Sequence, residues 1–353
     1  MRILVVATLY DRSEAAIFAA LPALGLPTEL ICDPGGRDQD ALRHAGVTIS
    51  HLRTRHRLDR NAIRHVRERI RARRPDVIYA PRNSTLSVSL VASRRTDVRV
   101  VGYRGTIGHL SRLDPASWLT YLHPRIARIV CVSDAVRRYL LSLGLPESRC
   151  ATVYKGHDPD WYRFAPPSRK PFGLSDGDFV LAFTGNVRPV KGIDVLFDAM
   201  RRLEPDSPAR LWLIGEVRNR GIRRAAARPD TASRIVLAGF RKDAAELVSA
   251  ADAYVMPSVA REGLPRGVIE AMCQSKPPIV TDVGGMPELV RHQESGLVVP
   301  PRDPNALAAA IAALARDPAL RGRLGAAARR RIAETFHIRQ TIEQMANLFR
   351  SIT

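Results

Sequence analysis

The stretch PSVAREGLPRGVIEAMCQSKPPIVTDVGGMPELV, residues 257–290, contains the pattern that decides the fold. A short apolar run ends at Met256, a polar loop follows, and Pro265 interrupts the chain. An apolar pattern of helical period then leads into a second apolar run at Pro278. A strand, a loop, a helix and another strand in this order form the unit from which parallel sheets are built, so the stretch predicts an α/β fold.

The same alternation extends in both directions along the 353 residues, and this length suggests two domains with a cleft between them. Residues 155–178 are rich in Pro, Gly and Asp and predict the interdomain linker. We therefore expect domains at 1–165 and 166–335, with a last helix at 336–353 that packs back towards the first domain. The predicted strands are Ile3–Ala7, Thr28–Cys32, Val77–Ala80, Val98–Tyr103, Ile129–Val132, Phe179–Thr184, Leu211–Ile214, Ile235–Ala238, Ala253–Met256, Pro278–Thr281 and Leu297–Val299.

The composition, 45% hydrophobic and 25% charged, is typical of a globular protein and not of a disordered or fibrous one. Its four cysteines are far apart and form no C-x-x-C pair, which indicates neither a disulfide framework nor a zinc site and favours a reducing cytoplasm. The first segment, MRILVVAT, is too short for a signal peptide or a membrane span and predicts a buried strand. Any membrane contact is therefore expected to be peripheral, on the inner face.

The net charge of +20 predicts attraction to phosphate-rich partners. Residues 51–75 contain ten arginines, and with Asp59 as N-cap they predict a helix whose apolar face carries Ile63, Val66 and Ile70. Two interpretations of the Arg53–Arg74 region stay open: a solvated surface helix, or a docking face for an anionic membrane or a phosphorylated acceptor. No nucleic-acid partner is expected, because the arginines are not interleaved with aromatic residues and no recognition motif is visible.

Glu262 and Glu270 are the leading candidate site residues. Glu262 follows the strand that ends at Met256, and in open α/β sheets ligands bind beyond the carboxyl ends of strands. Two carboxylates there would accept hydrogen bonds from sugar hydroxyls, and the backbone N–H groups of Gly263 and Leu264 would meet phosphate or sugar oxygens. The alternative is that Glu262 is an exposed loop acid and Glu270 a solvated helix residue.

Residues 262–270 resemble the E-x7-E motif of retaining glycosyltransferase family 4 (glycosyl transferases group 1), in the EGLP…EAM form. The resemblance implies the GT-B architecture, in which two Rossmann-like domains face each other across a cleft. The N-terminal domain would bind the acceptor and the C-terminal domain the nucleotide-sugar donor. Glu262 would contact the donor sugar, Glu270 the ribose, and the Gly284-Gly285 loop with Glu288 would close the nucleotide pocket.

A second match to that family is FTGNVRPVKGID, residues 183–194, after the first strand of the second domain. Lys191 and Arg188 resemble its basic pair and would stabilise the leaving diphosphate. Many members have an arginine directly after the glycine, where this chain has Asn186. The donor-binding residues implied by the resemblance are Gly185, Asn186, Glu216, Phe240, Arg241, Gly263, Leu264, Pro265, Glu270, Gly284 and Gly285.

The N-terminal half resembles the family less. The loop TLYDRSEAAI after the first strand lacks the usual glycines, and VVGYRGTIGHL places Arg104 nearest the position of the family's histidine, with His109 five residues later. Arg104 is a candidate phosphate-binding or catalytic residue, with a structural ion pair as the alternative. His109 is a candidate of the same kind, with a plain loop residue as the alternative.

The resemblance implies a metal-independent, retaining hexosyltransferase of the cytoplasm that acts on a glycan or lipid-linked acceptor, in cell-envelope polysaccharide or lipopolysaccharide synthesis. We expect no cofactor and no metal site, and a nucleoside-diphosphate sugar of unspecified base as co-substrate. The predicted catalytic residues are Glu262, Lys191, Arg188, Arg104 and His109. The alternatives are a nucleotide-sugar epimerase or hydrolase on the same fold and a basic nucleic-acid-binding protein.

Overall fold

The computed structural model of the chain describes residues 1–36 and 38–352. Thr353, the end of the predicted last helix, lies outside them. The chain divides into two compact units, one formed by Met1–Gly156 with Ile338–Thr353 and the other by His157–His337.

The first unit ends at Gly156 and not at residue 165, because the stretch predicted as a linker is packed into the second unit. The backbone N–H of His157 donates to the carbonyl oxygen of Phe336 at 2.9 Å, and the His157 ring stacks on the buried ring of Tyr162. His157 itself is 2% exposed. Residues 157–178 are therefore a structural part of the second unit.

The first unit is built on a parallel sheet of seven strands in the order β3-β2-β1-β4-β5-β6-β7. The predicted buried strands are present, and the first, in MRILVVAT, is buried at all four positions. The sequence missed β3 and β7, which are the two edge strands. The strands are β1 Ile3–Val6, β2 Thr28–Cys32, β3 Thr48–His51, β4 Val77–Ala80, β5 Arg99–Arg104, β6 Ile126–Cys131 and β7 Cys150–Thr152.

Helices cover this sheet. The N-cap prediction at Asp59 is confirmed, since its side chain accepts from the backbone N–H groups of Asn61 and Ala62, and Val66 and Ile70 are buried. The helices are α1 Arg12–Ala20, α2 Gln39–His44, α3 Arg60–Arg73, α4 Asn83–Ala92, α5 Pro115–Trp118 and α6 Asp134–Ser142.

The second unit has a parallel sheet of six strands in the order β10-β9-β8-β11-β12-β13. Each predicted strand is present. The strands are β8 Phe179–Thr184, β9 Ala209–Ile214, β10 Ile235–Gly239, β11 Ala253–Met256, β12 Pro278–Thr281 and β13 Leu297–Val299. The helices are α7 Ile193–Arg201, α8 Arg220–Ala226, α9 Ala244–Ser249, α10 Arg266–Cys273, α11 Met286–Leu289, α12 Pro304–Arg316 and α13 Pro318–Thr335.

The last helix, α14 Ile338–Arg350, belongs to the first unit. Its buried face includes Met345 and Phe349, and the Phe349 ring meets the Tyr79 ring edge to face at a centroid distance of 5.7 Å. The end of the chain is thereby fixed to the core of the first sheet.

Candidate functional site

The second sheet has a switch point between β8 and β11, which are neighbours although two strands separate them in sequence. Ligands of open α/β sheets bind at the carboxyl ends of the strands at such a point. Residues 185–192 follow β8 and residues 257–265 follow β11, so the two loops leave the same edge of the sheet side by side. Lys191 lies in the first loop and Glu262 in the second.

Lys191 and Glu262 are in direct contact, with Lys191 Nζ donating to Glu262 Oε1 at 2.6 Å. Ser258 Oγ donates to the same oxygen, also at 2.6 Å. Glu262 is only 8% exposed, so the structure excludes the alternative of an exposed loop acid. No hydrogen bond from the described part of the chain reaches Glu262 Oε2, and this oxygen remains an acceptor for a ligand hydroxyl.

Two glycines allow the loops to approach each other this closely. Gly192 has φ +64°, and a Cβ there would collide with the carbonyl oxygen of Pro257. Gly284, after β12, has φ +60°, and a Cβ there would collide with the carbonyl oxygen of Glu262. The N–H of Gly285 points to that same oxygen at 3.4 Å. The loops after β8, β11 and β12 are thus held together through their backbones around Glu262.

Glu270 lies on α10, where Arg266 Nε is 3.3 Å from Glu270 Oε1 and the Glu270 side chain is 16% exposed. It is therefore a paired, mostly buried acid and not a solvated helix residue. Pro265 precedes α10 and supplies no side-chain cap. The first N–H groups of the helix, next to Gly263 and Leu264, thus form a site suited to an anion.

The side chain of Tyr254, in β11, contacts the end of β8 and the start of α10. Its hydroxyl lies 2.9 Å from Thr184 Oγ1 at the end of β8. Burial raises the pKa of Tyr254 far above its usual value, and the nearby carboxylates of Glu270 and Glu262 raise it further. Gly267 leaves room for the Tyr254 hydroxyl, because a Cβ at that position would collide with it.

Sequence reasoning missed Tyr254, Thr184 and Ser258. The sequence contained a signal for them, because each lies in or just after a strand that ends at the switch point.

The two cationic candidates at the switch point differ. Lys191 is paired with Glu262, whereas Arg188 is exposed and its side chain forms no hydrogen bond or ion pair with the residues that the structure describes.

The predicted donor residues after β9, after β10 and at the start of the loop after β8 form no hydrogen bond or ion pair with Glu262 in the described part of the chain. Glu216, after β9, pairs with Arg218 at 2.7 Å, and this hydrogen bond lowers the pKa of Glu216. Phe240, after β10, is 71% exposed. Arg241 pairs with Asp243 at 2.6 Å. Gly185 and Asn186 are exposed at the start of the loop after β8.

In the first unit, Arg104 ends β5 and is 5% exposed. Its guanidinium donates to the carbonyl oxygens of Thr106 and Gly108 and lies 4.9 Å from the centroid of the Tyr121 ring. The structural ion pair considered from the sequence is therefore wrong, because these partners are carbonyls and an aromatic ring. His109 lies in the same loop, exposed and with φ +61°.

Two further findings concern the described residues as a whole. They contain no group of three or more His, Cys, Asp or Glu side chains placed to hold a metal ion. None of their helices combines the length and the apolar character needed to cross a bilayer.

Two family models match the chain: Glycosyltransferase Family 4 over residues 15–161 and Glycosyl transferases group 1 over residues 178–317. The chain is 34% identical over 193 residues to a D-inositol 3-phosphate glycosyltransferase of Jonesia denitrificans. The matched region covers 48% of this chain and 45% of that protein. It is 29% identical to the lipopolysaccharide core biosynthesis mannosyltransferase LpsB of Rhizobium meliloti, over 67% of this chain and 68% of the relative. The chain spans about half the length of several of the curated relatives it matches.

The fold matches that of Anabaena Alr3699/HepE, solved in complex with UDP-glucose, with a TM-score of 0.80 at 22% identity over 99% of this chain and 100% of that one. One family model covers most of the first sheet and the other most of the second, and both sheets have the strand order of a nucleotide-binding α/β fold. The chain therefore belongs to glycosyltransferase family 4 and has the GT-B fold.

Proposed function

We propose that the chain transfers a sugar from a nucleoside-diphosphate sugar to a glycan or lipid-linked acceptor, with retention of the anomeric configuration. The observation that carries this proposal is the contact between Lys191 and Glu262 at the switch point of the second sheet. It joins a cation suited to a diphosphate to a carboxylate that keeps one oxygen for a sugar hydroxyl. One solved neighbour, Anabaena Alr3699/HepE, was crystallised with UDP and with UDP-glucose, which makes a uridine nucleotide the first donor to test.

Each step of the reaction has a candidate group. Lys191 and Arg188 stabilise the negative charge that develops on the leaving diphosphate, assisted by the N–H groups at the start of α10. Glu262 Oε2 orients the transferred sugar, and Glu270 binds the ribose. These groups supply the charge stabilisation without a metal ion. Backbone groups near Phe240 and Arg241 hold the base.

We place the acceptor in cell-envelope or lipopolysaccharide synthesis, because one relative is named for that pathway and the charge of the chain favours an anionic membrane surface. Along α3 and its C-cap residue, exposed arginines follow one another at intervals of four and three residues, which on a helix places them in one stripe: Arg60, Arg64, Arg67, Arg71 and Arg74. Within the described chain, none of the five forms an ion pair. We call them the arginine stripe.

Exposed apolar side chains lie just before α3 and around α5. Leu58 is 47% exposed, Leu113 94% and Trp118 42%. Arg57 Nη1 donates to the carbonyl oxygen of Ala116 at 3.3 Å, which joins the segment before α3 to α5. Apolar side chains beside a row of arginines favour peripheral binding to the inner face of an anionic membrane, in the cytoplasm.

The donor site is tested by thermal unfolding with UDP, GDP and ADP. A ligand that binds only the native state raises the unfolding midpoint, and at 100 times its Kd it adds about 2.7 kcal/mol of stability. We expect one nucleotide to do so. Lys191→Ala should weaken its binding at least about tenfold, because a charge-assisted hydrogen bond is lost. Lys170→Gln, an exposed lysine of the same unit, is the matched control and should leave binding unchanged.

The reaction itself is tested by product analysis with the donor that binds. Turnover that requires an added lipopolysaccharide acceptor supports transfer, whereas equal turnover without an acceptor would indicate an epimerase or hydrolase. Folded Glu262→Ala protein should lose most of its activity. Near-normal transfer by that variant, or a failure of all three nucleotides to raise the midpoint, would contradict the proposal.

A further inference from the structure

A pocket lies in the first unit, at the carboxyl ends of β4 and β5, and has a volume of about 600 Å³. The segment before α3, the start of α4 and the loop after β5 form its walls. The polar residues that matter for its chemistry are Arg57, Arg82, Asn83, Arg104 and Tyr121. The pocket is thus at the edge of the sheet where a doubly wound fold binds ligands.

The charge of this pocket is positive, although Asp114 interacts electrostatically with Arg57 and Glu14 lies near Arg82. Neither Asp nor Glu occurs among its described lining residues. Arg104 and Arg57 donate only to carbonyl oxygens. Arg82 donates to the carbonyl oxygen of Leu9, and the nearest carboxylate oxygen, on Glu14, is 3.8 Å away. That carboxylate also lies 3.6 Å from Lys155, so it offsets little of the charge of Arg82.

Neutral donors add to the guanidinium groups. Helix α4 has ten residues and begins at Asn83 without a side-chain cap, so the N–H groups of its first turn are not used by a capping side chain. The Asn83 amide lies at this helix start, 2.9 Å from the Tyr121 hydroxyl. That hydroxyl is also 2.7 Å from the carbonyl oxygen of Tyr103, so Tyr121 holds Asn83 and the end of β5 beside the cavity.

Several cations and an uncapped helix start around one cavity suit an anion with several oxygens. A phosphoryl group fits this description best, because arginine binds it in a bidentate manner and three oxygens can accept from different donors at once. A neutral sugar would leave two or three guanidinium charges without a counterion in a partly enclosed site.

We propose that this pocket binds a phosphoryl group of the acceptor, which makes the substrate class a phosphorylated acceptor and not a neutral glycan. The proposal rests on the transfer function proposed above. Arg57 and Arg82 bind the phosphoryl group directly. Arg104 holds the loop after β5 in position through its two hydrogen bonds to carbonyl oxygens, and its positive charge adds to that of the pocket.

The test uses the full chain with saturating UDP, which occupies the donor site, and titrates inorganic phosphate at constant ionic strength. Arg57→Gln/Arg82→Gln should bind phosphate at least about tenfold more weakly than the wild type, since two charge-assisted contacts are removed. The control is Arg94→Gln/Arg95→Gln, which removes the same charge from exposed positions of the same unit and should bind within about twofold of the wild type. Unfolding midpoints verify that all variants are folded.

Two results would overturn the proposal. Unchanged phosphate affinity in the folded Arg57→Gln/Arg82→Gln protein would show that the pocket is not the binding site. Equal losses in both double variants would show that phosphate responds to net charge alone. The donor test remains separate, because UDP binding depends on Lys191 in the other unit. If UDP, GDP and ADP all fail to bind, the transfer function fails, while the difference between the double variants still decides whether the pocket binds phosphate.

Discussion

Glu262 has two oxygens in different situations, and this difference defines its use. Oε1 accepts from both Lys191 and Ser258, whereas Oε2 is left for a ligand. A mostly buried ion pair adds little net stability, because desolvation offsets most of the attraction. We therefore interpret the contact as positional: it orients the carboxylate and holds the ammonium group where a diphosphate would meet it.

Gly284 provides a test of how tightly Glu262 is positioned. Gly284→Ala adds a Cβ against the carbonyl oxygen of Glu262 at a φ of +60°. We expect the free energy of unfolding, measured with urea, to fall by about 2 kcal/mol. Nucleotide binding should weaken as well, because the loop that holds Glu262 must shift.

The matched control for that substitution is Gly177→Ala. It has no heavy atom within 4 Å of the added Cβ and no positive φ, so its stability should stay within about 0.5 kcal/mol of the wild type. An unfolding midpoint for Gly284→Ala equal to that of Gly177→Ala would mean that the loop accommodates a side chain, and that Glu262 is not held by this backbone contact.

Among the elements, the buried strands were predictable and the edge strands were not. The bounds of β8, β11, β12 and β13 agree with those predicted, because strands covered on both faces read as continuous apolar runs. The missed strand β3 is TISH, partly exposed at every position, and β7 has only three residues. Their pairing with a neighbouring strand, which sequence periodicity does not register, decides that they are strands.

The candidate site was predictable as a set of loops and not as a set of contacts. The motifs around Lys191 and Glu262 placed each residue after its strand. Their hydrogen bond joins positions 71 residues apart and depends on the strand order, which brings β8 beside β11. The pocket lined by Arg57 and Arg82 was not predicted from the sequence for the same reason, since its walls come from three separate segments.

Helix α3 depends on Asp59, and this dependence has a pH signature. Backbone hydrogen bonds from Arg55 and Ala62 lower the pKa of Asp59 below its usual value. A carboxylate whose pKa is lowered on folding stabilises the native state at pH values above its ordinary pKa. This stabilisation is lost as the pH falls through the lower pKa of the folded state. Asp59→Ala should therefore reduce the free energy of unfolding by about 1 kcal/mol at pH 7, and the difference should narrow below about pH 4.

Urea unfolding at both pH values measures this effect. Asp97→Ala, an exposed acid of the same unit that caps no helix, should change stability by less than about 0.5 kcal/mol at either pH. A difference between Asp59→Ala and the wild type that stays constant from pH 7 to pH 3 would show that the ionised carboxylate is not what stabilises α3.

For the molecule as a whole, the charge of +20 is organised and not merely large. On α3 the arginines fall into two groups. Arg69 and Arg73 share the single carboxylate of Glu29, whose oxygens lie 2.5 and 3.3 Å from them. The arginine stripe has no such partner among the described residues. Because solvent screens an exposed charge without removing it, the stripe retains the capacity to attract an anionic surface.

Vesicle binding tests this capacity. The full chain should bind phosphatidylcholine vesicles that contain phosphatidylglycerol, and binding should weaken steeply with salt and vanish for phosphatidylcholine alone. Removing three charges by Arg64→Gln/Arg67→Gln/Arg71→Gln should weaken binding about 100-fold, since each arginine near the surface contributes about 1 kcal/mol. The control Arg220→Gln/Arg224→Gln/Arg302→Gln removes the same charge from exposed positions of the second unit and should retain most of the binding.

Two results would contradict this prediction. Equal losses of binding in the two triple variants would mean that net charge, and not the arginine stripe, attracts the membrane. Binding that needs no anionic lipid would rule out the electrostatic interpretation.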